Sequence, residues 1–277
     1  MKRAIARGQT WWVRLFVLAV LAAVVLPDLF PYTLVAAVVL LGLAFVRAPR
    51  SAVPAIDLAP PVRGRWVAIN SPGSAVPSHG VRAYGQTYAV DLLQPSPGPP
   101  PSIGWSLQTR KPQSYPCFGA PVLAMAPGTV LRSATGQRDH NARDTWPALI
   151  WMLTVGGFLR ELAGAPRVLG NHLIVEHDDG TYAAYAHLRQ GSATVQAGER
   201  IVAGQRLASV GNTGNTSEPH LHVQLMDRPQ PTAAAGLPMR WPDLIADTGE
   251  TDARWAGKPP RPTALPGFPR NGQIVQA

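Results

Sequence analysis

A mainly β fold, an antiparallel sheet or sandwich preceded by an α-helical membrane segment, is the architecture that this sequence predicts. Beyond residue 50 the chain consists of short β-rich runs separated by Gly, Asn and Asp turns. Its 29 prolines among 277 residues are about twice the usual share of roughly 5%, which disfavours long helices there. The first 50 residues are instead dominated by apolar side chains. These observations separate a helical N-terminal part from a β-rich remainder.

The expected strands are short apolar or alternating runs between residues 65 and 226. Many short strands with frequent turns favour an antiparallel sheet over a parallel one. Residues 177–180, His-Asp-Asp-Gly, predict a hairpin between two of the runs, because Asp-Gly supplies the positive φ that such turns need. The runs cover residues 65–69, 87–93, 121–126, 129–133, 172–177, 181–188, 200–204, 206–211 and 221–226.

The apolar N-terminal segment covers residues 11–46 and is interrupted by Arg14, by Pro27-Asp28 and by Pro31. It predicts a helical hairpin that breaks at Pro27–Pro31, with a single kinked span as the alternative. Each arm is short for a hydrocarbon core of about 30 Å. We therefore assign residues 1–50 to a membrane anchor, and the Pro- and Ala-rich residues 51–64 to a linker.

The net charge of +9 is concentrated near this anchor, where six basic residues in the first 50 stand against Asp28 alone. No basic run occurs in the rest of the chain, and this distribution excludes a nucleic-acid binder. Under the positive-inside rule, a hairpin would keep residues 51–277 in the cytoplasm, whereas a single span would export them. The single cysteine, Cys117, excludes an intramolecular disulfide framework and a Cys-rich zinc site.

Two insertions and a tail interrupt the β pattern. Residues 94–116 form a proline-rich loop, and residues 134–170 contain an apolar stretch, 145–162, that is long enough for one helix. That stretch is either a core-packing helix or a membrane-surface or lid element. Residues 228–277 form a proline-rich tail. The predicted β domain therefore covers residues 65–227.

Two histidines in an alternating run, His220 and His222, are the clearest candidates for chemistry. Residues two apart on a strand point to the same face, so both imidazoles are expected to face one site. The Gly- and Asn-containing loop 211–219 precedes them. By the same alternation, His187 is expected to share a face with Tyr185.

A third candidate is Asp91, a carboxylate inside the apolar run 87–93, which is costly to bury unless it is paired or metal-bound. His79 lies 12 residues earlier, close enough to fold back beside it. A catalytic zinc takes three ligands of the His and carboxylate type and keeps a fourth position for water. No His-Glu-x-x-His helix is present, which excludes a thermolysin-like site.

The remaining candidates have structural roles in this interpretation. His172 and His177 are expected to support the fold, and His140 in the insertion is expected to be solvated. Cys117 is expected to be a small buried residue.

Four stretches of the chain resemble the M23 zinc metallopeptidases, the lysostaphin/LytM-type cell-wall endopeptidases. The resemblance covers roughly residues 65–227 apart from the two insertions, and it implies a β domain like a duplicated hybrid motif. The His-x-His motif after a Gly-Asn-Thr-Gly loop is its most specific part. The stretches are SHGVRAYGQTYAVDL (78–92), APVLAMAPGTV (120–130), GNHLIVEHDDGTYAAYAHL (170–188) and VQAGERIVAGQRLASVGNTGNTSEPHLHVQL (195–225).

This resemblance implies one zinc ion bound by Asp91 and His222, with His187 and His220 as catalytic groups beside it. The family pattern places a further ligand histidine four residues before the aspartate, where this chain has Thr87. We expect His79, from the preceding loop, to be the third ligand instead. The adjacent loop residues Asn212, Thr213 and Asn215 are expected to contact the substrate backbone.

The function implied is that of a membrane-anchored zinc metalloendopeptidase that hydrolyses peptide bonds in peptidoglycan cross-links. Such an enzyme needs its catalytic domain outside the cytoplasm, in the cell envelope. The alternative is a non-catalytic LytM-like module that binds or regulates an envelope partner. Retention of the expected metal and catalytic positions favours the enzyme.

Overall fold

The computed structural model describes residues 1–95, 103–255 and 259–277. Residues 96–102 of the predicted proline-rich insertion and residues 256–258 of the predicted tail lie outside the described residues. The helices are α1 (Lys2–Arg7), α2 (Gln9–Val25), α3 (Phe30–Ala44), α4 (Trp146–Trp151), α5 (Gly157–Ala163) and α6 (Ala165–Leu169). The strands are β1 (Ile56–Asp57), β2 (Arg65–Ile69), β3 (Val90–Leu93), β4 (Pro121–Leu123), β5 (Gly128–Ala134), β6 (Asn171–His177), β7 (Tyr182–Leu188), β8 (Arg200–Ile201), β9 (Arg206–Ser209), β10 (Leu221–Met226), β11 (Gly236–Leu237), β12 (Met239–Arg240), β13 (Ile245–Thr251) and β14 (Gln273–Gln276).

The main sheet runs in the order β13-β14-β2-β3-β10-β7-β6-β5-β8, with β11 paired to β10. Every pairing within it is antiparallel. The predicted mainly β, antiparallel architecture is therefore confirmed.

The principal core lies between one face of this sheet and the separate pair β4–β9. Leu173, Tyr185 and Val223 of the sheet are fully buried there with Val122 of β4 and Leu207 of β9. Burying a large apolar side chain contributes about 1.5–3 kcal/mol. The opposite face of the sheet carries two smaller buried apolar clusters, one on β2, β3 and β14 and one that includes residues of β6, β7 and β10, so polar groups on that face lie beside apolar ones.

The hairpin predicted at residues 177–180 joins β6 to β7. Gly180 has a φ of +79°, and the backbone N–H of Thr181 donates to the Asp179 carboxylate at 2.9 Å. The strands on either side pair antiparallel. The turn prediction is confirmed.

The apolar N-terminal segment forms two helices, α2 and α3, which pack against each other across a 3₁₀ turn at Pro27–Leu29. Among the described residues, one helical stretch, Pro27–Ala44, is long and apolar enough to cross a membrane, and α2 is a shorter apolar helix. Both helices expose large apolar side chains. The arrangement agrees with the hairpin prediction rather than with a single kinked span.

The linker and the tail contribute strands, which differs from the predicted division of the chain. Strand β14 lies beside β2, where Ile274 pairs with Val67, and β1 pairs in parallel with β12. Strand β14 covers the side of β2 that β3 does not occupy, and so supplies partners for its backbone hydrogen-bonding groups. A four-residue run amid prolines is too short for its alternation to stand out in the sequence.

The second insertion forms α4, a π-helical turn at Met152–Gly156, α5 and α6. No residue of α4 or α5 is buried. A core-packing helix must bury one face. That alternative for residues 145–162 is therefore wrong.

Candidate active site

Two neighbouring strands supply the most buried part of the site. Asp91 of β3 and His222 of β10 are register partners, and their side chains are on the face of the sheet opposite the principal core. The Nδ1 atom of His222 lies 2.8 Å from Oδ1 of Asp91. Asp91 is 4% exposed and His222 is 3% exposed. Strand pairing therefore sets the distance between these two groups.

His79 reaches the same carboxylate from the loop between β2 and β3. Its Nε2 atom lies 3.1 Å from Oδ2 of Asp91, and its Nδ1 atom lies 3.1 Å from the Ser78 hydroxyl. The backbone N–H of Ser78 donates to the carbonyl oxygen of Thr87 at 3.1 Å. Thr87, at the position where the family pattern has a ligand histidine, thus helps to hold the loop that carries His79.

One atom from each of His79, Asp91 and His222 lies within 4.8 Å of the other two. Ligand atoms at roughly 2.1 Å from a tetrahedral zinc are about 3.4 Å apart. The two imidazole nitrogens lie 2.8 and 3.1 Å from the two carboxylate oxygens of Asp91, one on each oxygen, which is close to that value. Two imidazoles and a carboxylate are also a zinc-type donor set. These three residues fit the metal that the sequence predicts.

His187 and His220 stand beside this group, with their ring centroids 4.9 Å apart. Each ring has its Nδ1 atom on a backbone carbonyl oxygen, that of Thr213 at 2.9 Å and that of Glu218 at 2.8 Å. A carbonyl only accepts, so Nδ1 carries the proton in both rings. Each Nε2 is then available to accept a proton, and that of His220 lies 3.7 Å from Oδ1 of Asp91.

His187 reaches the site through an irregularity in β7, which differs from the expectation that it shares a face with Tyr185. The register between β6 and β7 shifts near this end of the pair, and His187 has a φ of +61°. Tyr185 points into the principal core, where its hydroxyl accepts from the N–H of Met125. A bulge re-aims the side chains that follow it. This bulge brings His187 to the face that carries Asp91.

The charges of the site depend on the carboxylate at its centre. Burial alone raises the pKa of Asp91, but the charges of His79 and His220 and the hydrogen bonds from His222 and His79 outweigh it, and the pKa lies well below its usual range. Burial lowers the pKa of His222, yet its hydrogen bond to Asp91 leaves that pKa raised. Burial holds the pKa of His187 well below its usual value, so His187 is a neutral base.

Two further polar residues, which the sequence analysis did not single out, hold the ligands in place. The amide oxygen of Gln224 lies 2.9 Å from Nε2 of His222, and its amide nitrogen donates to the Tyr84 carbonyl at 2.7 Å. The amide of Asn70 donates to Oδ2 of Asp91 at 2.8 Å. Gln224 lies two residues after His222, so strand alternation could have found it.

The loop before β10 is built mainly from its own buried groups. Asn212 and Thr213 are fully buried, where Thr213 accepts from the N–H of Asn171 and Asn212 donates to the carbonyl of His140. Their side chains therefore shape the loop rather than line an open groove. Asn215 is exposed. His140 is half-buried within this network and not fully solvated, because the insertion folds over the loop.

The remaining histidines and the cysteine lie apart from the site. His172 is buried, with Nδ1 at 2.7 Å from the Gly170 carbonyl, and His177 is buried beside Thr181. Cys117 is buried, and burial raises the pKa of its thiol to about 12. Their positions agree with the structural roles that the sequence predicts.

The sequence profile of Peptidase family M23 matches residues 155–234. This part of the chain is similar to M23 peptidases. The match contains His187, His220 and His222, whereas His79 and Asp91 lie upstream of it. The M23 recognition made from the motifs is thus confirmed, and the fold adds the two upstream residues to the site.

Curated relatives are similar in sequence to this chain over short stretches. Peptidoglycan DD-endopeptidase ShyA of Vibrio cholerae is 36% identical over 72 residues, 25% of this chain and 16% of that protein. Cell division protein DipM of Caulobacter vibrioides is 32% identical over 96 residues, 34% of this chain and 15% of that protein. The chain thus spans about a sixth of the length of these relatives.

Among solved structures, the catalytic domain of lysostaphin from Staphylococcus simulans aligns with 59% of this chain and 84% of its own, at 17% identity and a TM-score of 0.33. A zinc-containing peptidase from Vibrio cholerae aligns with 69% of this chain and 40% of its own, at 22% identity and a TM-score of 0.31.

Proposed function

We propose that this chain is a membrane-anchored zinc metalloendopeptidase that hydrolyses peptide bonds in peptidoglycan cross-links. His79, Asp91 and His222 hold the zinc ion, and His187 and His220 carry out the proton transfers. One observation carries the proposal: three zinc-type donor atoms converge beside two histidines whose Nε2 atoms are free to exchange protons. The similarity to peptidoglycan DD-endopeptidases supports the choice of substrate.

Zinc in a site with three protein ligands lowers the pKa of a bound water to near neutrality and polarises a carbonyl oxygen. Neutral His187 is suited to accept the proton that leaves the attacking water, because its Nδ1–H is occupied by the Thr213 carbonyl. The Nε2 atom of His220, once it has taken up a proton in the reaction, is suited to donate it to the oxyanion that forms on the scissile carbonyl. The Glu218 carbonyl keeps that ring oriented.

The test compares His222, on β10, with His220, which directly precedes that strand. His220→Ala is expected to retain stoichiometric zinc and to lose hydrolysis of cross-linked muropeptides, followed by chromatography of the products. His222→Ala is expected to lose both zinc and hydrolysis. His177→Gln, on β6, serves as the control and is expected to retain both. A wild-type chain that binds no zinc at neutral pH would contradict the enzyme and favour the non-catalytic binding module.

The anchor is the second part of the proposal. The apolar helices α2 and α3 support membrane attachment, and the wall substrate requires the β domain to lie outside the cytoplasm. Basic residues at both ends of the hairpin favour the opposite orientation. Labelling of Val202→Cys in intact cells with a membrane-impermeant thiol reagent decides between them. Val202 is 64% exposed, whereas native Cys117 is buried and is expected not to react.

A further inference from the structure

The helical unit formed by α4, the π-helical turn and α5, residues 146–163, exposes an apolar surface that the proposed peptidase does not use. Seven of its large apolar side chains are between 43% and 74% exposed. Contiguous apolar surfaces of this kind mark sites of interaction with proteins or membranes. The side chains are Trp146, Ile150, Trp151, Leu153, Val155, Phe158 and Leu159.

This unit adjoins the base of the apolar hairpin. Helix α2 packs against α5, and the guanidinium of Arg14 donates to the Leu162 carbonyl at 2.8 Å. The chain approaches so closely that a Cβ placed on Gly164 would meet Thr10 at 3.3 Å. Trp11, on the same turns of α2, is 62% exposed. Tryptophan is enriched at the level of lipid headgroups, which places that level beside α5.

A basic pocket of about 560 Å³ lies next to this surface. All of the arginines that line it, Arg138, Arg160 and Arg167, lack a carboxylate partner among the ion pairs of the described residues. Nη1 of Arg160 is buried with no hydrogen-bond partner there. The one acid of α5, Glu161, accepts from the Tyr84 hydroxyl. The surface is therefore apolar with a positive flank.

We propose that the helical unit 146–163 lies in the headgroup region of an anionic phospholipid bilayer, with its apolar side chains among the acyl chains and the arginine pocket facing lipid phosphates. An apolar helical face flanked by basic residues has the chemistry of an interfacial helix. The proposal rests on the hairpin being embedded in the same bilayer. It fixes the β domain against the membrane at a second point, in addition to the hairpin.

The test uses the full chain in nanodiscs that each hold one copy and contain phosphatidylglycerol and phosphatidylcholine. A polarity-sensitive fluorophore is attached at Leu153→Cys, in the unit, or at Val202→Cys, which is similarly exposed on the turn after β8. At position 153 we expect strong quenching by lipids with nitroxide-labelled acyl chains and at least tenfold protection from aqueous iodide. At position 202 we expect little quenching by the nitroxide-labelled lipids and strong quenching by aqueous iodide. Iodide quenching at 153 equal to that at 202 would overturn the proposal.

A third label, at Val39→Cys in α3, separates this inference from the anchor on which it rests. If lipid nitroxides quench position 39 but not position 153, the hairpin is embedded and only the interfacial helix is refuted. If they quench neither, membrane attachment itself fails. Protection of position 153 that appears only in discs with two copies would replace the bilayer by a second copy of the chain.

The arginine pocket is tested by Arg138→Gln combined with Arg167→Gln. In the wild type, lipid quenching at position 153 is expected to increase when phosphatidylglycerol is added to phosphatidylcholine discs. In the double variant, lipid quenching at position 153 is expected to be the same with and without phosphatidylglycerol. The matched control, Arg261→Gln combined with Arg270→Gln, removes the same charge from outside the pocket and is expected to keep the increase. Equal responses of the two double variants would refute a role for the pocket.

Discussion

The site is held in two different ways, by strands on one side and by a loop on the other. Asp91 and His222 are register partners on adjacent strands, so the sheet determines their separation. His79 comes from the segment between β2 and β3, and a few polar contacts around Ser78 hold it in place. Its side chain is 16% exposed, against 5% for Asp91.

The difference separates two kinds of contribution to a metal site. A strand residue cannot move without breaking backbone pairing, so Asp91 and His222 keep their geometry whether or not zinc is bound. A loop residue has fewer such constraints, so we expect His79 to contribute more to metal affinity than to the stability of the fold. Changes on the two sides should therefore have distinct consequences.

The largest effect is expected for Asp91→Asn. This change removes the one anionic ligand and leaves three histidines without the carboxylate that faces them. We expect complete loss of stoichiometric zinc after dialysis at neutral pH, measured by elemental analysis. Asp57→Asn, which removes an exposed partner of Arg240, is the control and should keep its zinc. Full zinc content in the Asp91 variant would mean that the ion is held elsewhere.

His79→Ala is expected to weaken zinc binding by more than about 100-fold, since losing even a hydrogen-bond partner of a ligand costs about 10–100-fold. The free energy of unfolding of the zinc-free protein should fall by only about 1–3 kcal/mol, because Oδ2 of Asp91 loses His79 but keeps the amide of Asn70. Competitive titration with a chelator and urea denaturation measure the two quantities. A large loss of stability with unchanged zinc affinity would reverse the roles assigned to loop and strands.

A smaller effect, about 10–100-fold on zinc affinity, is expected for Gln224→Leu. The amide oxygen of Gln224 accepts from Nε2–H of His222, which keeps Nδ1 free to face Asp91 and the metal. Gln224→Glu retains an acceptor and should remain within about tenfold of the wild type. If the two variants bind zinc equally well, Gln224 does not orient the ligand and only fills space.

The smallest effect is expected for the dependence of zinc affinity on pH through His222. Because the pKa of His222 is raised, zinc must displace a proton from it below that pKa. Affinity should fall with decreasing pH by at most about tenfold per unit from this group. Calorimetric titration in two buffers of different ionisation enthalpy counts the protons released. If the number of protons released on zinc binding is the same above and below the pKa of His222, then His222 is not a zinc ligand with a raised pKa.

The same raised pKa acts on the zinc-free fold with a definite sign. A histidine whose pKa is higher when folded contributes stability below its unfolded pKa of about 6.5, and that contribution is lost as the pH rises through the folded value. Buried His187, with its lowered pKa, acts in the opposite sense and loses its contribution as the pH falls below about 6.5. His187→Asn should therefore reduce the acid sensitivity of the zinc-free protein, measured by urea denaturation.

The sequence predicted most of the site because strand alternation and the His-x-His motif are local signals. His220 and His222 face the same site as expected, and Asp91 needed a partner because of its apolar neighbours. His187 did not follow simple alternation, since the bulge in β7 depends on pairing with β6. The loop residues Asn212 and Thr213 looked suited to bind substrate, but the folding of the insertion around them decides that they are buried.

From the order of its residues alone, this chain determines an apolar helical start, a β-rich remainder, and the face on which its motif histidines lie. All of these follow from the spacing of apolar side chains over a few residues. The tertiary structure alone decides that His79 meets Asp91, that the C-terminal strand β14 joins β2, and that residues 146–163 remain uncovered by the core. These features join segments far apart in the chain, whose contacts depend on how whole layers pack and not on any local period.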